Sequence, residues 1–533
     1  MNTKIFNYKL TTKVNEVFQR DNNIEAMALT ILQVALGLSL MASLLLLPLF
    51  YFLVITKRTS SHKTKLPPSP PKLPLIGNLH QLGSLPHCSL ASLSKKYGPL
   101  MLLQLGEIPT LIISSADMAR EIMRTHDLIF ASRPLLKNAE ILLYGRMDMA
   151  FSPYGEHWRQ LKKLCTIHLL STKRVQSYKL AREEEVAFMV KNITQCSLLH
   201  APIDMSEVLF SFVNDNICRL VSGKFLREGG RNHFFRKAIE EIVTLLGGFR
   251  VEDYFPSLAW LEGWFLGLSK RARRAFKIWD DVLDEVIKEH ENRDKDDGEK
   301  DFVDVLLSLQ KDPNMDFELK KEHIKAILVD MFVGGTDTSY IVLEWAMAEL
   351  VRNPNIMKKL QNEVREVTMK SGTISENDLN TMTYLKAVIK ETLRLHPPAP
   401  LLTPRESMKD CYIKDYFIPK NTRVIINDWA ISRDPKYWDA PDEFRPERFI
   451  NSSIDFRGND FQFIPFGAGR RGCPGMQFAV STVELALANL VCGFEWELAR
   501  GAMEERELHM TEAPGLTNRM EKRLMLFATP IRA

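Results

Sequence analysis

The stretch Phe463-Ile-Pro-Phe-Gly-Ala-Gly-Arg-Arg-Gly-Cys-Pro-Gly475 sets one cysteine, Cys473, at the end of a loop dense in glycine and arginine. Directly after it, the apolar segment from Met476 to Leu490 has helical character, which predicts that Cys473 lies beside a helix N-terminus. There the helix dipole and the unpaired N–H groups favour a thiolate. The glycines let the backbone turn sharply and come close to a bulky group without a Cβ clash.

A thiolate is the axial ligand that pushes electron density into haem iron and promotes O–O cleavage. The loop matches the pattern Phe-x-x-Gly-x-Arg-x-Cys-x-Gly at Phe466, Gly469, Arg471, Cys473 and Gly475 without a mismatch. In this it resembles the haem-binding loop of the cytochromes P450. The resemblance implies a mainly α fold with a small β region and haem b as cofactor. Cys473 would be the iron ligand, with Phe466 packed beside the thiolate and Gly475 in the cofactor loop. Arg471 would pair with a haem propionate.

Outward from the loop, the longest helical pattern runs from Lys320 to Arg352 and is interrupted at Gly334-Gly-Thr-Asp-Thr-Ser339. A glycine inside a helix costs about 1 kcal/mol against alanine, and the acid and alcohols beside it compete for helix hydrogen bonds. So many local violations at one point suggest a functional site. The run matches the family's (Ala/Gly)-Gly-x-(Asp/Glu)-Thr-(Thr/Ser). By that resemblance Gly334 and Gly335 open a groove for dioxygen, while Asp337 and Thr338 relay protons into it.

Glu391 and Arg394 stand at i and i+3 on one predicted helix face. The same spacing recurs at Glu121/Arg124 and Glu349/Arg352, among others, so it says nothing alone. Its context, with Phe444-Arg-Pro-Glu-Arg-Phe449 further on, resembles the family's Glu–Arg–Arg cluster, closed by Arg448, which supports the haem loop. Trp158 and Lys162 resemble a family Trp-x-x-x-Arg pair that reaches a propionate, with lysine replacing the planar arginine fork. A solvated basic helix face is the other reading of Lys162. Arg405 resembles a further propionate contact.

The chain of 533 residues is 45% hydrophobic, enough for a large core, and shows no repeat or low-complexity tract. Its 70 basic and 66 acidic residues leave a net charge of +4, which gives no pull towards nucleic acid. Seven cysteines without CxxC or zinc-like spacing suit reduced thiols facing a cytosol. Residues 1–26 form a polar extension. The uncharged segment from Met27 to Ile55 suffices for a bilayer core of roughly 30 Å, so 27–56 reads as a transmembrane anchor. The following Lys57, Arg58, Lys63 and Lys65 place the body on the cytoplasmic side of a membrane crossed once, and the resemblance to microsomal cytochromes P450 implies that this is the endoplasmic reticulum membrane. Lys4, Lys9, Lys13 and Arg20 would then have to cross to the lumen, so Met27 is expected to be the natural start.

The proline-rich run from Leu66 completes a basic hinge over 57–76, a stiff extended spacer. Alone it equally suits a ligand for another protein; after an anchor it resembles the hinge of microsomal cytochromes P450, with the catalytic domain at 77–533. Pro99 to Ser115 predicts strands at 100–105 and 109–114, and Ala116 to Thr125 a helix. Phe130 to His157 lacks a regular period, and in the family it lines the substrate pocket. Phe255, Trp260, Trp264 and Phe265 are core aromatics or, by resemblance, a loop that dips into the membrane.

These features look most like the plant A-type group of the seventy-one clan, which serves specialised metabolism. The implied reaction inserts one oxygen atom from O₂ into a small apolar substrate. With no strand–GxGxxG–helix unit for a nicotinamide or flavin, electrons are expected from NADPH through a separate NADPH–cytochrome P450 reductase. Arg159, Lys162, Lys163 and Arg470 form its candidate docking face. A haem-thiolate dehydratase or lyase is the rival enzyme, and a non-catalytic ligand-binding membrane protein the rival class. The intact Asp337-Thr338 pair favours the monooxygenase. Pocket candidates are Leu135 to Met149, Leu246, Phe249, Met331, Phe332, Gly334, Gly335, Ala399, Leu401 and Leu516. They suit a terpenoid first, or an aromatic of coumarin or alkaloid type.

Overall fold

A computed structural model describes Ser39, Ser43 and residues 64–223, 231–260, 268–292, 300–315, 317–371, 374–499 and 508–531. Apart from those two serines, the polar extension and the expected anchor lie outside the described residues, as do Trp264 and Phe265. Residues 1–64 and 65–533 are separate units, and the second carries the fold.

The expected long helix is present from Lys321 to Arg352. Almost every residue from Thr336 to Leu350 is buried, at all angles around the axis, and a helix apolar all round belongs in a core. It packs against Met205–Ser222, Met476–Gly493 and Thr383–Leu395. The sequence places the interruption at 334–339; the structure places it earlier, as a widened π-turn at Asp330–Gly334 that overlaps the expectation only at Gly334, and the α-helix is regular again from Gly335. Such turns open the i→i+4 ladder without ending the helix. Helix Met205–Ser222 starts on Asp204, whose carboxylate accepts the Glu207 N–H at 3.0 Å, and stops at Gly223 with φ 64°.

Three small sheets flank the helices. In the largest, Leu100–Leu105 pairs antiparallel with Ile108–Ile113 around Gly106, whose φ of 61° suits a two-residue turn. Ile108–Ile113 pairs parallel with Arg423–Ile426, which pairs antiparallel with Arg405–Glu406. This sheet delivers Arg405 to the interior. A second sheet joins Ile203–Asp204, Met525–Pro530 and Phe494–Leu498. The third pairs Cys411–Ile413 with Tyr416–Ile418. The expected helix after Ala116 ends in a π-turn, Glu121–Thr125, and the irregular 130–157 segment contains one short helix, Lys137–Leu142. Among the described residues two helices, Lys321–Arg352 and Met476–Gly493, are long and apolar enough to cross a membrane, and both are built into this body.

Candidate haem-thiolate site

A cavity of about 380 Å³ lies between the central helix and the Phe463–Gly475 loop. Cys473 opens onto it. The Cys473 N–H donates to the Phe466 carbonyl at 2.9 Å, which folds the loop back on itself two residues before helix Met476–Gly493 begins at its cap, Gly475. Burial raises the thiol's pKa; the N–H groups of Gly475 and Met476 and the Lys162 ammonium act in the opposite direction. The loop depends on its glycines at two points. Gly467 and Gly469 both have φ 68°, and a Cβ on Gly469 would come within 2.3 Å of the Met123 carbonyl oxygen.

Four cations line the same cavity: Arg133, Lys162, Arg405 and Arg471. Arg471 lies 4.1 Å from the Trp158 ring and Lys162 Nζ 5.3 Å from it, so the indole serves both charges. Arg405 donates to the Ala468 carbonyl at 2.9 Å and lies 3.4 Å from Asp127. Arg471 spans the carbonyls of Ala131 (2.6 Å) and Ser152 (2.6 Å), and Arg133 those of Ala150, Thr403 and Pro404. Burial pushes all three arginines down, and repulsion adds to it for two of them: Arg405, by burial against Asp127, to about 10; Arg471, by burial and Arg405, to about 9; Arg133, by burial and both neighbours, well below the usual range. Lys162 is lowered by burial and Arg471. Trp158 Nε1 donates to the Met149 carbonyl at 3.0 Å, and Lys162 Nζ to the Arg470 carbonyl.

This donor set fits an iron porphyrin with two carboxylate arms. A buried cluster of like charge calls for anions, a single thiol opposes the central helix, and Gly334 leaves the helix face clear, with no atom from outside its own stretch of helix within 4 Å of where its Cβ would stand. When bound, the porphyrin supplies the redox chemistry of dioxygen activation. Cys473 would hold its iron and the cations its propionates.

The two glycines differ. A Cβ on Gly335 would meet Ile217 Cδ1 at 2.6 Å, so Gly335 lets helix Met205–Ser222 approach, although both glycines border the cavity. Thr338 faces the cavity and its hydroxyl donates to the Gly334 carbonyl at 2.7 Å. Its neighbour Asp337 is 1% exposed and ion-paired with Arg519 at 2.9 Å. Burial raises the Asp337 carboxyl, opposed by Arg519 and by the Thr517 hydroxyl.

Glu391, Arg394 and Arg448 come together in one cluster. Glu391 takes Arg394 Nε at 2.7 Å and Arg448 Nε at 2.9 Å, and also accepts the Arg445 backbone N–H at 2.8 Å. Arg394 in turn donates to the Ser432 and Pro441 carbonyls.

Of the expected pocket residues, Leu143, Met149, Leu246, Met331, Gly334, Gly335, Ala399 and Leu516 line the cavity. Three do not. Phe332 turns into the core against Trp279, since its position on the π-turn faces away from the opening. Phe249 is 56% exposed and stacked on Tyr254, while Leu401 packs on the cluster under the first sheet.

Sequence reasoning missed Arg133 and Asp330. Each is a lone charge in an apolar run, Leu128–Leu136 and Ile327–Val333, and that was the available signal. Asp330 accepts the Met149 N–H at 2.7 Å and so ties the 143–151 loop to the π-turn. Burial and the neighbouring Asp148 keep its carboxyl well above the usual range, and burial raises Asp148 to about 6.

The cytochrome P450 family model matches residues 67–526. Cytochrome P450 71A1 of Persea americana is 51% identical over 458 residues, covering 85% of this chain and 91% of that protein. Strychnine-11-hydroxylase of Strychnos nux-vomica is 48% identical over 490 residues, covering 91% and 95%. A zebra fish cytochrome P450 structure with progesterone superposes with a TM-score of 0.71 at 26% identity, covering 84% of this chain and 99% of that one. Thiol, cation cluster and matched sequence agree: the chain belongs to the cytochrome P450 family, in the plant seventy-one clan, and is a haem b monooxygenase that takes its electrons from a redox partner.

Proposed function

We propose that this enzyme inserts one oxygen atom from O₂ into a small, neutral, apolar plant specialised metabolite, a terpenoid first, with electrons from NADPH through a separate flavoprotein reductase. The carrying observation is the cavity lining, where Ile217, Val221, Ile242, Val243, Leu246 and Leu516 offer no charge. Asp330, which also lines the cavity, is a candidate anchor for a basic amine. However, burial holds its carboxyl towards the neutral form and the Met149 N–H occupies one oxygen, so an apolar substrate is favoured. The strychnine-hydroxylating relative supplies the second reading, an alkaloid.

Thr338 is assigned to the dioxygen groove, where its hydroxyl holds the Gly334 carbonyl, and Asp337 to proton supply beside it. Glu391, Arg394 and Arg448 brace the segment beneath the cysteine loop. Arg159 and Arg470, each about half exposed, and exposed Lys163 form a basic face for the reductase. The body is assigned to the cytosolic side of the endoplasmic reticulum membrane. Leu75 (61% exposed), Trp260 (66%) and Phe249 present apolar surface towards the lipid, a use for which core packing is excluded by their exposure.

The test is turnover in vesicles with the reductase against terpene, coumarin and alkaloid panels. NADPH-dependent hydroxylation or epoxidation of a terpene is the expected result. Product formed without NADPH would refute the monooxygenation and point to a lyase or dehydratase.

A further inference from the structure

Asp337 does not stand free beside Thr338. Its Oδ1 lies 2.9 Å from Nη2 of Arg519. Arg519 comes from a C-terminal hairpin in which Glu512 bridges to Met520 and the Ala513 N–H donates to the Arg519 carbonyl at 2.8 Å. The same hairpin sets Leu516 and Thr517 in the cavity wall. On its other side, Arg519 Nη1 is 4.0 Å from Glu240 Oε1, on helix Arg231–Gly247. Glu240 is 36% exposed and already bonded to Arg236 Nε at 2.9 Å. One guanidinium therefore lies between two carboxylates, one buried at the cavity and one near the surface.

We propose that Arg519 is a positioning residue for oxygen activation: it holds Asp337 as a carboxylate, and a shift of Arg519 towards Glu240 releases Asp337 to take up a proton beside Thr338. This rests on the assignment of Asp337 and Thr338 to proton supply. The guanidinium keeps its own proton throughout, so the proton taken up by Asp337 comes from solvent. A buried carboxyl deprived of its cation favours the neutral form. Burial already raises Asp337, Arg519 and Thr517 oppose that rise, and Glu240 adds to it.

Tyr340, on the same helix, is a further titratable group that faces Asp337, and around Tyr340 in turn stand Glu344, also on that helix, and Arg236 on helix Arg231–Gly247. Behind Arg236 stands Glu207, from helix Met205–Ser222. Glu344, raised by burial to about 7, is held by Ser206 and the Met520 N–H.

The test compares Asp337→Asn, Arg519→Gln, Arg519→Lys and Glu240→Gln with the wild-type holoenzyme. Each is first checked for the carbon monoxide band of the reduced protein. Two readouts follow: the pH dependence of product formed per NADPH consumed, and the infrared band of a protonated carboxyl that Asp337→Asn removes. Arg519→Gln should move both titrations to higher pH by about one to three units, the range for losing an adjacent opposite charge. Arg519→Lys should return them towards wild type. Glu240→Gln, which removes a repelling anion, should move them to lower pH.

Opposite shifts cannot come from a loosened fold. If Asp337→Asn leaves coupling unchanged, the proton-supply assignment falls. If Asp337→Asn uncouples the enzyme but Arg519→Gln and Glu240→Gln leave both titrations in place, that assignment stands and the role of Arg519 is overturned. Should Arg519→Gln fail to fold, the infrared titration of Glu240→Gln decides: a fall supports the role, and no shift or a rise refutes it.

Discussion

At the scale of single residues, the two glycines of the central helix make separable predictions. Gly334→Ala removes the helix penalty of glycine, about 0.5–1 kcal/mol, and its methyl meets no atom from outside its own stretch of helix. The variant should unfold at a slightly higher temperature yet form less product per NADPH, because its methyl enters the dioxygen groove. Gly335→Ala presses on the end of the Ile217 side chain, which can move. Its stability should stay within about 1 kcal/mol of wild type with less loss of coupling. Thermal unfolding and coupled turnover on both variants check the pair, and equal uncoupling by the two would contradict the distinction.

Residue-scale legibility followed sequence distance. Cys473 and Arg471 could be read because loop and ligand lie within a few residues, and Gly334 because local rules break there. Arg133 and Arg519 could not, since their partners come from remote segments: Arg133 reaches Thr403, and Arg519 reaches Asp337 and Glu240. Phe332 was misjudged because the π-turn changes which side of the helix each residue faces.

At the scale of elements, two buried ion clusters join distant segments. Glu391 ties helix Thr383–Leu395 to the 445–448 turn. Removing one partner of a buried charge cluster costs about 3–5 kcal/mol, so Glu391→Gln should sharply lower the denaturation midpoint and the yield of haem-loaded protein. A normal midpoint would contradict its bracing role. The second cluster pairs His87 with Glu512 at 2.6 Å, joining helix Pro86–Tyr97 to the C-terminal hairpin.

Burial alone would lower His87, but the Cys88 side chain and Glu512 raise it to about 9. Burial alone would raise Glu512, but His87 and Asn518 lower it to about 2. The histidine's contribution is complete below its unfolded value of 6.5 and is lost as pH rises through about 9. The glutamate's is complete above 4.5 and is lost as pH falls through about 2. His87→Gln should therefore cost most, on the order of 3 kcal/mol, between those unfolded values. Its deficit should fade above the raised histidine value. Unfolding measured at mildly acidic and at strongly alkaline pH checks this. Long helices and the first sheet were legible from periodicity and glycine placement, whereas both clusters depend on packing that spacing does not encode.

At the scale of the whole molecule, the proposed basic face predicts how electrons arrive. Lys163→Glu should slow reduction by the flavoprotein about tenfold at low ionic strength, an effect of lost electrostatic steering. The deficit should shrink as salt shortens the screening length. Stopped-flow reduction at two salt concentrations reads it, and a salt-independent deficit would argue against a docking role. The central claim is that Cys473 ligates haem iron as a thiolate within this cation-lined cavity. The most direct measurement is the carbon monoxide difference spectrum of the reduced protein beside that of Cys473→Ser. A strongly red-shifted Soret band in the wild type, lost in the variant, is the predicted result; a wild type without that band, indistinguishable from the variant, would contradict it.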